Sequence, residues 1–152
     1  MENITAEWKK LLTLLKLPYT PEGIQTAQAM EVLSLSNKQL TVLPESIGLL
    51  VNLKELYCHY NKLTVLPESI GLLVKLKELY CYYNKLTYLP ESICNLVNLE
   101  RLYSNNNQLT VLPKGIGMMK KLEVLDVSYN KLTVKPEGFR PEVSITSYGN
   151  RF

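Results

Sequence analysis

Residues 53–75 read LKELYCHYNKLTVLPESIGLLVK, and residues 76–98 read LKELYCYYNKLTYLPESICNLVN. Working outward, 30–52 (MEVLSLSNKQLTVLPESIGLLVN), 99–121 (LERLYSNNNQLTVLPKGIGMMKK) and 122–142 (LEVLDVSYNKLTVKPEGFRPE) fall into the same frame. Pro21, Pro44, Pro67, Pro90, Pro113 and Pro136 mark the phase, each 23 residues after the last. A period in this range, sustained over a chain, is the mark of a solenoid whose units bury their apolar faces only against neighbours.

Each block has two halves with different periods. The first reads LxxLxLxxNxL, as in Leu53, Leu56, Cys58, Asn61 and Leu63; its fourth and sixth places alternate with polar residues, which is strand periodicity. The second reads LPxxIxxL, as in Leu66, Pro67, Ile70 and Leu73, and its spacings of three and four suit a short helical or 3₁₀ turn. Proline is expected to open that turn, since its φ is already set and its missing N–H is not needed there. A strand and a returning half, repeated, wind a right-handed coil with one parallel sheet along its inner wall.

Composition narrows the function classes. The 152 residues carry a net charge of +3, with ten basic and ten acidic side chains in 1–113 and seven against four in 114–152. Lys114, Lys120, Lys121 and Lys131 are diluted by Glu123 and Asp126, so the concentrated basic stripe of a nucleic-acid binder is missing. No apolar run approaches the ~20 residues of a membrane span. Cys58, Cys81 and Cys94 are odd in number and lack disulfide-cluster or metal-ligand spacing, which points to a reducing compartment. The first twenty residues carry two acids before the apolar stretch and no small-residue cleavage site, so they do not read as a signal peptide.

The blocks resemble leucine-rich repeats of the 23-residue LPxxI type, found in many bacterial and eukaryotic intracellular proteins, over roughly residues 20–139. The resemblance implies an α/β fold: a right-handed leucine-rich-repeat solenoid of about five to six repeats, with a parallel concave sheet and a convex side of short helical or 3₁₀ turns. It also implies that Asn61, Asn84, Asn107 and Asn130 form a stacked ladder satisfying backbone groups that would otherwise be buried unpaired. It implies no single activity, because the family shares a scaffold.

Departures from the repeat define the ends. Residues 1–29 read as an N-terminal helical cap with half a repeat: Trp8, Leu11, Leu12 and Leu15 lie on one face of a helix over 4–16 that Pro18 breaks, and Thr20–Met30 matches the returning half. Residues 30–139 hold five repeats. The first has Lys38 where the ladder asparagine belongs and Asn37 one place early, so an irregular turn is expected. Residues 140–152 read as a C-terminal cap strand, with Val143 and Ile145 set eighteen residues after Leu125 and Val127.

Six of the ten tyrosines and the only histidine fall on three central rungs, at the strand places that face solvent. They are Tyr57, His59, Tyr60, Tyr80, Tyr82, Tyr83 and Tyr103, bordered by Glu55, Glu78 and Arg101. Tyrosine gives large contact area at low entropic cost and is enriched in binding hot spots, so the expected function is a non-enzymatic module that binds another protein on this face. Alternatives are a glycan or small ligand stacked on the rings, or stacking for stability alone in a purely structural repeat protein. No catalytic constellation, metal site or cofactor motif is present; His59 and Cys58 are adjacent on a strand and point to opposite faces. The expected state is a monomer in the cytoplasm, although a bacterial effector acting inside a host cell would carry the same signals.

Overall fold

The computed structural model describes residues 2–152, with side chains from Ala6 onward; Met1 of the expected cap lies outside the described residues. Six three-residue strands, β1 (Val32–Ser34), β2 (Glu55–Tyr57), β3 (Glu78–Tyr80), β4 (Arg101–Tyr103), β5 (Val124–Asp126) and β6 (Ser144–Thr146), form one parallel sheet in sequence order. Leu33, Leu56, Leu79, Leu102 and Leu125 stand in register on the inner face, and all are buried. Each of the first five strands ends in the same way. The residue before the ladder position takes a positive φ, between 50° and 57°, at Asn37, Tyr60, Tyr83, Asn106 and Tyr129. That kink stops strand pairing and turns the chain toward the returning half.

The returning halves hold 3₁₀ turns at Glu45–Leu49, Glu68–Leu72, Glu91–Asn95 and Ile116–Met118. In the first three, proline stands just outside the turn with extended backbone. The carbonyls of Pro44, Pro67 and Pro90 accept the first bond, from Ile47, Ile70 and Ile93, each at 3.0 Å. Proline therefore acts as a cap rather than as the turn's first residue. A second polar ladder runs along this side: Asn52 donates to the Gln28 carbonyl and Asn98 to that of Val74, while Lys75 and Lys121 donate to the Asn52 and Asn98 side chains.

Close packing between turns sets side-chain size in pairs. A Cβ on Gly48 would lie 2.9 Å from Ser69 Cβ, and one on Gly71 2.8 Å from Ser92 Cβ. In the next pair the sizes are exchanged: Cys94 takes the glycine's place and Gly115 the serine's, with Cys94 Sγ 3.2 Å from where a Gly115 Cβ would sit. Gly115→Ser is therefore expected to destabilise the protein by about 1–3 kcal/mol through overpacking, and adding Cys94→Gly should recover most of it. Urea unfolding of the two single variants and the double variant reads the coupling.

The N-terminal end is covered as the sequence predicts. Helix α1 (Glu2–Leu15) buries Trp8, Leu11 and Leu12, and α2 (Pro21–Gln28) starts with the Thr20 hydroxyl accepting from Gly23 N at 3.2 Å. The core runs without a break from Trp8 to Leu132. The irregular first turn is also present. Asn37 and Gln39 both have positive φ, and Asn61 Oδ1 accepts from Lys38 N and Leu40 N at 3.0 Å each.

The C-terminal register differs from the sequence reading. Leu125 pairs with Ile145 and Asp126 with Thr146, an offset of twenty residues, so Val143 does not stand opposite Leu125. A two-residue slip leaves every side chain on its original face, so alternation alone could not distinguish the two registers. Asn150 makes the difference. It occupies the ladder position of a sixth rung, donating to the Val127 carbonyl at 3.0 Å and the Ser147 carbonyl at 2.7 Å and accepting from Leu132 N at 3.0 Å.

Candidate functional site

The sheet brings all seven aromatic residues onto one wall and stacks them along the solenoid. Tyr57 lies on Tyr80 with centroids 4.6 Å apart and planes 7° from parallel, and Tyr80 lies on Tyr103 at 4.9 Å and 9°. His59 stacks on Tyr82 at 4.5 Å, and Tyr60 on Tyr83 at 4.7 Å. Edge contacts join the columns, among them Tyr57–His59, His59–Tyr60 and Tyr80–Tyr82. The spacing follows from the backbone, because parallel strands lie ~4.8 Å apart and identical residues in register must stack or splay. Within each column the inner ring faces meet one another, which leaves the ring edges and the two end faces.

A row of charges holds the first column. Tyr57 Oη donates to Glu55 at 2.7 Å and Tyr80 Oη to Glu78, while Arg101 Nη1 binds the other Glu78 oxygen at 2.7 Å. Arg101 also reaches Glu123 at 3.7 Å. The Glu55 hydrogen bond, with burial behind it, pushes the Tyr57 hydroxyl up to about 12. Burial, then the bond to Glu78, raises that of Tyr80 further. Both phenols stay protonated donors at physiological pH and lock their rings in place.

His59 is only partly covered, yet its Nδ1 is buried with no hydrogen-bond partner among the described residues. Desolvation lowers its pKa below the ordinary 6.5. The unfolded chain therefore takes up this proton first as pH falls. The stability associated with neutral His59 is complete above about pH 6.5 and is lost as pH drops toward the folded pKa. Thermal midpoints measured between pH 7 and 5 should fall less steeply for His59→Asn, which places there the residue found at 105, than for the wild type.

The asparagine ladder lies beneath the wall and is structural. Asn84 Nδ2 donates to the Cys58 and Cys81 carbonyls at 3.0 Å each, and its Oδ1 accepts from Leu63 N at 3.0 Å. Asn107 and Asn130 repeat the pattern one and two rungs on, and Asn61 spans the irregular first turn. Cys58 and Cys81 are fully buried, and desolvation raises both thiols, Cys58 to about 12. Neither supplies a thiolate nucleophile. Ser104, at the same inward place one rung later, is a buried hydroxyl 3.3 Å from the Asp126 carbonyl that the sequence reading did not single out.

A leucine-rich-repeat family model matches residues 52–73, 75–96 and 121–141. The chain is a leucine-rich-repeat protein. Among solved structures, a leucine-rich-repeat protein of Leptospira interrogans is 36% identical over 73% of this chain and 34% of its own length, with a TM-score of 0.55. The leucine-rich-repeat domain of a Shigella effector is 25% identical over 99% of this chain and 66% of its own length, with a TM-score of 0.70. This leucine-rich-repeat chain thus spans about a third of the first and just under two thirds of the second. No curated protein matches it. Domains of this kind typically serve as protein-interaction modules, and among the described residues no helix is long and apolar enough to cross a membrane.

Proposed function

We propose that this leucine-rich-repeat chain is a non-enzymatic module that binds a protein partner through its concave aromatic wall, from Tyr57, His59 and Tyr60 on one rung to Tyr103 two rungs on. The observation that carries this reading is the stacking itself. Seven rings are fixed in three columns, and the phenols of Tyr57 and Tyr80 are anchored on carboxylates. Such a surface meets a partner with little side-chain entropy left to lose, and the Glu55, Glu78 and Arg101 row gives it a polar border.

Stacking also weighs against the glycan alternative, because a sugar packs on a free ring face and here the internal faces cover one another. Three free thiols, two of them fully buried, fit a reducing compartment, whether of the producing cell or, in an effector role, of a host. Affinity capture from native lysate tests the reading. A bait carrying alanine at Tyr57, Tyr80 and Tyr103 should lose the proteins that the wild type enriches, provided circular dichroism shows the fold intact; retention of those proteins would move the interface elsewhere.

A further inference from the structure

The row that borders the wall is built from one motif used twice, complete in one copy and open in the other. At the third and fourth rungs Glu78 holds the Tyr80 hydroxyl on one oxygen and the Arg101 guanidinium on the other, at 2.7 Å. At the second rung Glu55 holds the Tyr57 hydroxyl in the same manner. Among the described residues no Lys, Arg or His lies within ion-pair distance of Glu55: Lys54 pairs with Glu31 and Lys77 with Glu100. The register sets Glu55 directly beside Glu78, and of these two adjacent carboxylates only Glu78 holds an arginine among the described residues. Like charges side by side on neighbouring strands repel.

The space beside Glu55 is open. Its neighbour on the first rung is Val32, 53% exposed, and the neighbour of Tyr57 is the exposed Ser34. With Tyr80 stacked on one face of Tyr57 and His59 in edge contact, no ring is stacked on the face toward Ser34 among the described residues. A carboxylate beside a free tyrosine face selects arginine among cationic side chains. The guanidinium is planar, bonds a carboxylate through two parallel N–H groups and stacks on aromatic faces, whereas an ammonium is a compact and strongly hydrated point charge.

Resting on the concave interaction reading, we propose that the partner protein presents an arginine to the first rung, where its guanidinium pairs with Glu55 and lies over the outer face of Tyr57. It does there in trans what Arg101 does for Glu78 in cis.

The test titrates N-acetyl-arginine amide, N-acetyl-lysine amide and N-acetyl-citrulline amide into the whole chain, followed by NMR. The arginine compound should give saturable shifts confined to β1, β2 and the Tyr57 ring, at least about threefold tighter than the lysine compound, and the citrulline compound should not saturate. Glu55→Gln should abolish the arginine response. Val32→Arg should close the site from within, leaving the fold unchanged. Equal response to lysine or citrulline, or an undiminished response in Glu55→Gln, overturns the assignment. The same variants used as capture baits separate the two readings. If Tyr60→Asn/Tyr83→Asn loses the partner while Glu55→Gln and Val32→Arg keep it in full, the interaction surface stands and the arginine does not; if the tyrosine variant keeps it, the interaction reading itself fails.

Discussion

Asn84→Ala is expected to lower the unfolding free energy by about 2–5 kcal/mol, a large share of the ~5–15 kcal/mol that a domain of this size possesses. The effect is concentrated at one atom. The Cys58 carbonyl keeps its bond from Asn61, and that of Cys81 keeps its bond from Asn107, so both lose only one of two donors. Leu63 N has Asn84 Oδ1 as its acceptor, and Leu63 is fully buried, so its amide is left unpaired away from water. Because each repeat leans only on its neighbours, a weak joint at the turn after the third strand also uncouples the two halves of the solenoid. Asn150→Ala, at the half-buried last rung, should cost only about 1–2 kcal/mol by the same reasoning. Asn84→Asp preserves volume and the Leu63 bond but turns a carboxylate toward two carbonyls, and should be no milder than alanine. Urea unfolding followed by circular dichroism orders the three; a milder Asn84→Ala than Asn150→Ala contradicts the ladder account.

Tyr60→Asn/Tyr83→Asn should abolish partner capture, weakening binding by about tenfold or more, while moving the thermal midpoint by no more than about 4 °C. Both tyrosines stand about half exposed at the left-handed position, φ 53° and 50°, where asparagine already serves at 37 and 106. Side chains other than glycine and asparagine are strained there by roughly 1–2 kcal/mol each, so the double substitution relieves strain at two sites while it gives up the Tyr60–Tyr83 stack and the edge contacts His59–Tyr60, Tyr60–Tyr82 and Tyr82–Tyr83, worth ~0.5–1.5 kcal/mol apiece. The two terms nearly cancel in the folded state. They do not cancel at an interface, where two large rings are replaced by short amides. This pair separates recognition from stability more cleanly than Tyr57, Tyr80 and Tyr103, whose rings stack in one column and two of whose hydroxyls are anchored on Glu55 and Glu78.

Much of the architecture is legible in the sequence because repetition does the averaging. Twenty-three-residue spacing of proline, leucine and asparagine fixes which residues stack, and from that the sheet, the ladder and the aromatic wall follow. The features missed are those that repetition does not encode. The left-handed place shows only as a mixture of Tyr and Asn, and the Asn members are the signal that could have revealed it. The last register turns on Asn150, a single residue outside the repeat frame, preceded by Gly149 at φ 73°, the glycine counterpart of Tyr129. The Cys94–Gly115 exchange is invisible until the rungs are aligned in space, since the two residues are 21 apart and neither is unusual alone. Nor does residue type say whether aligned tyrosines present faces or edges.

The most direct test of the concave account is quantitative mass spectrometry of affinity captures with three baits: the wild type, Tyr60→Asn/Tyr83→Asn, and Val42→Thr/Val111→Thr. The last alters two exposed valines of the returning loops, off the strands. The account predicts that proteins enriched by the wild type remain with the valine variant and disappear with the tyrosine variant. Retention with the tyrosine variant and loss with the valine variant would place recognition on the opposite side of the solenoid and contradict it.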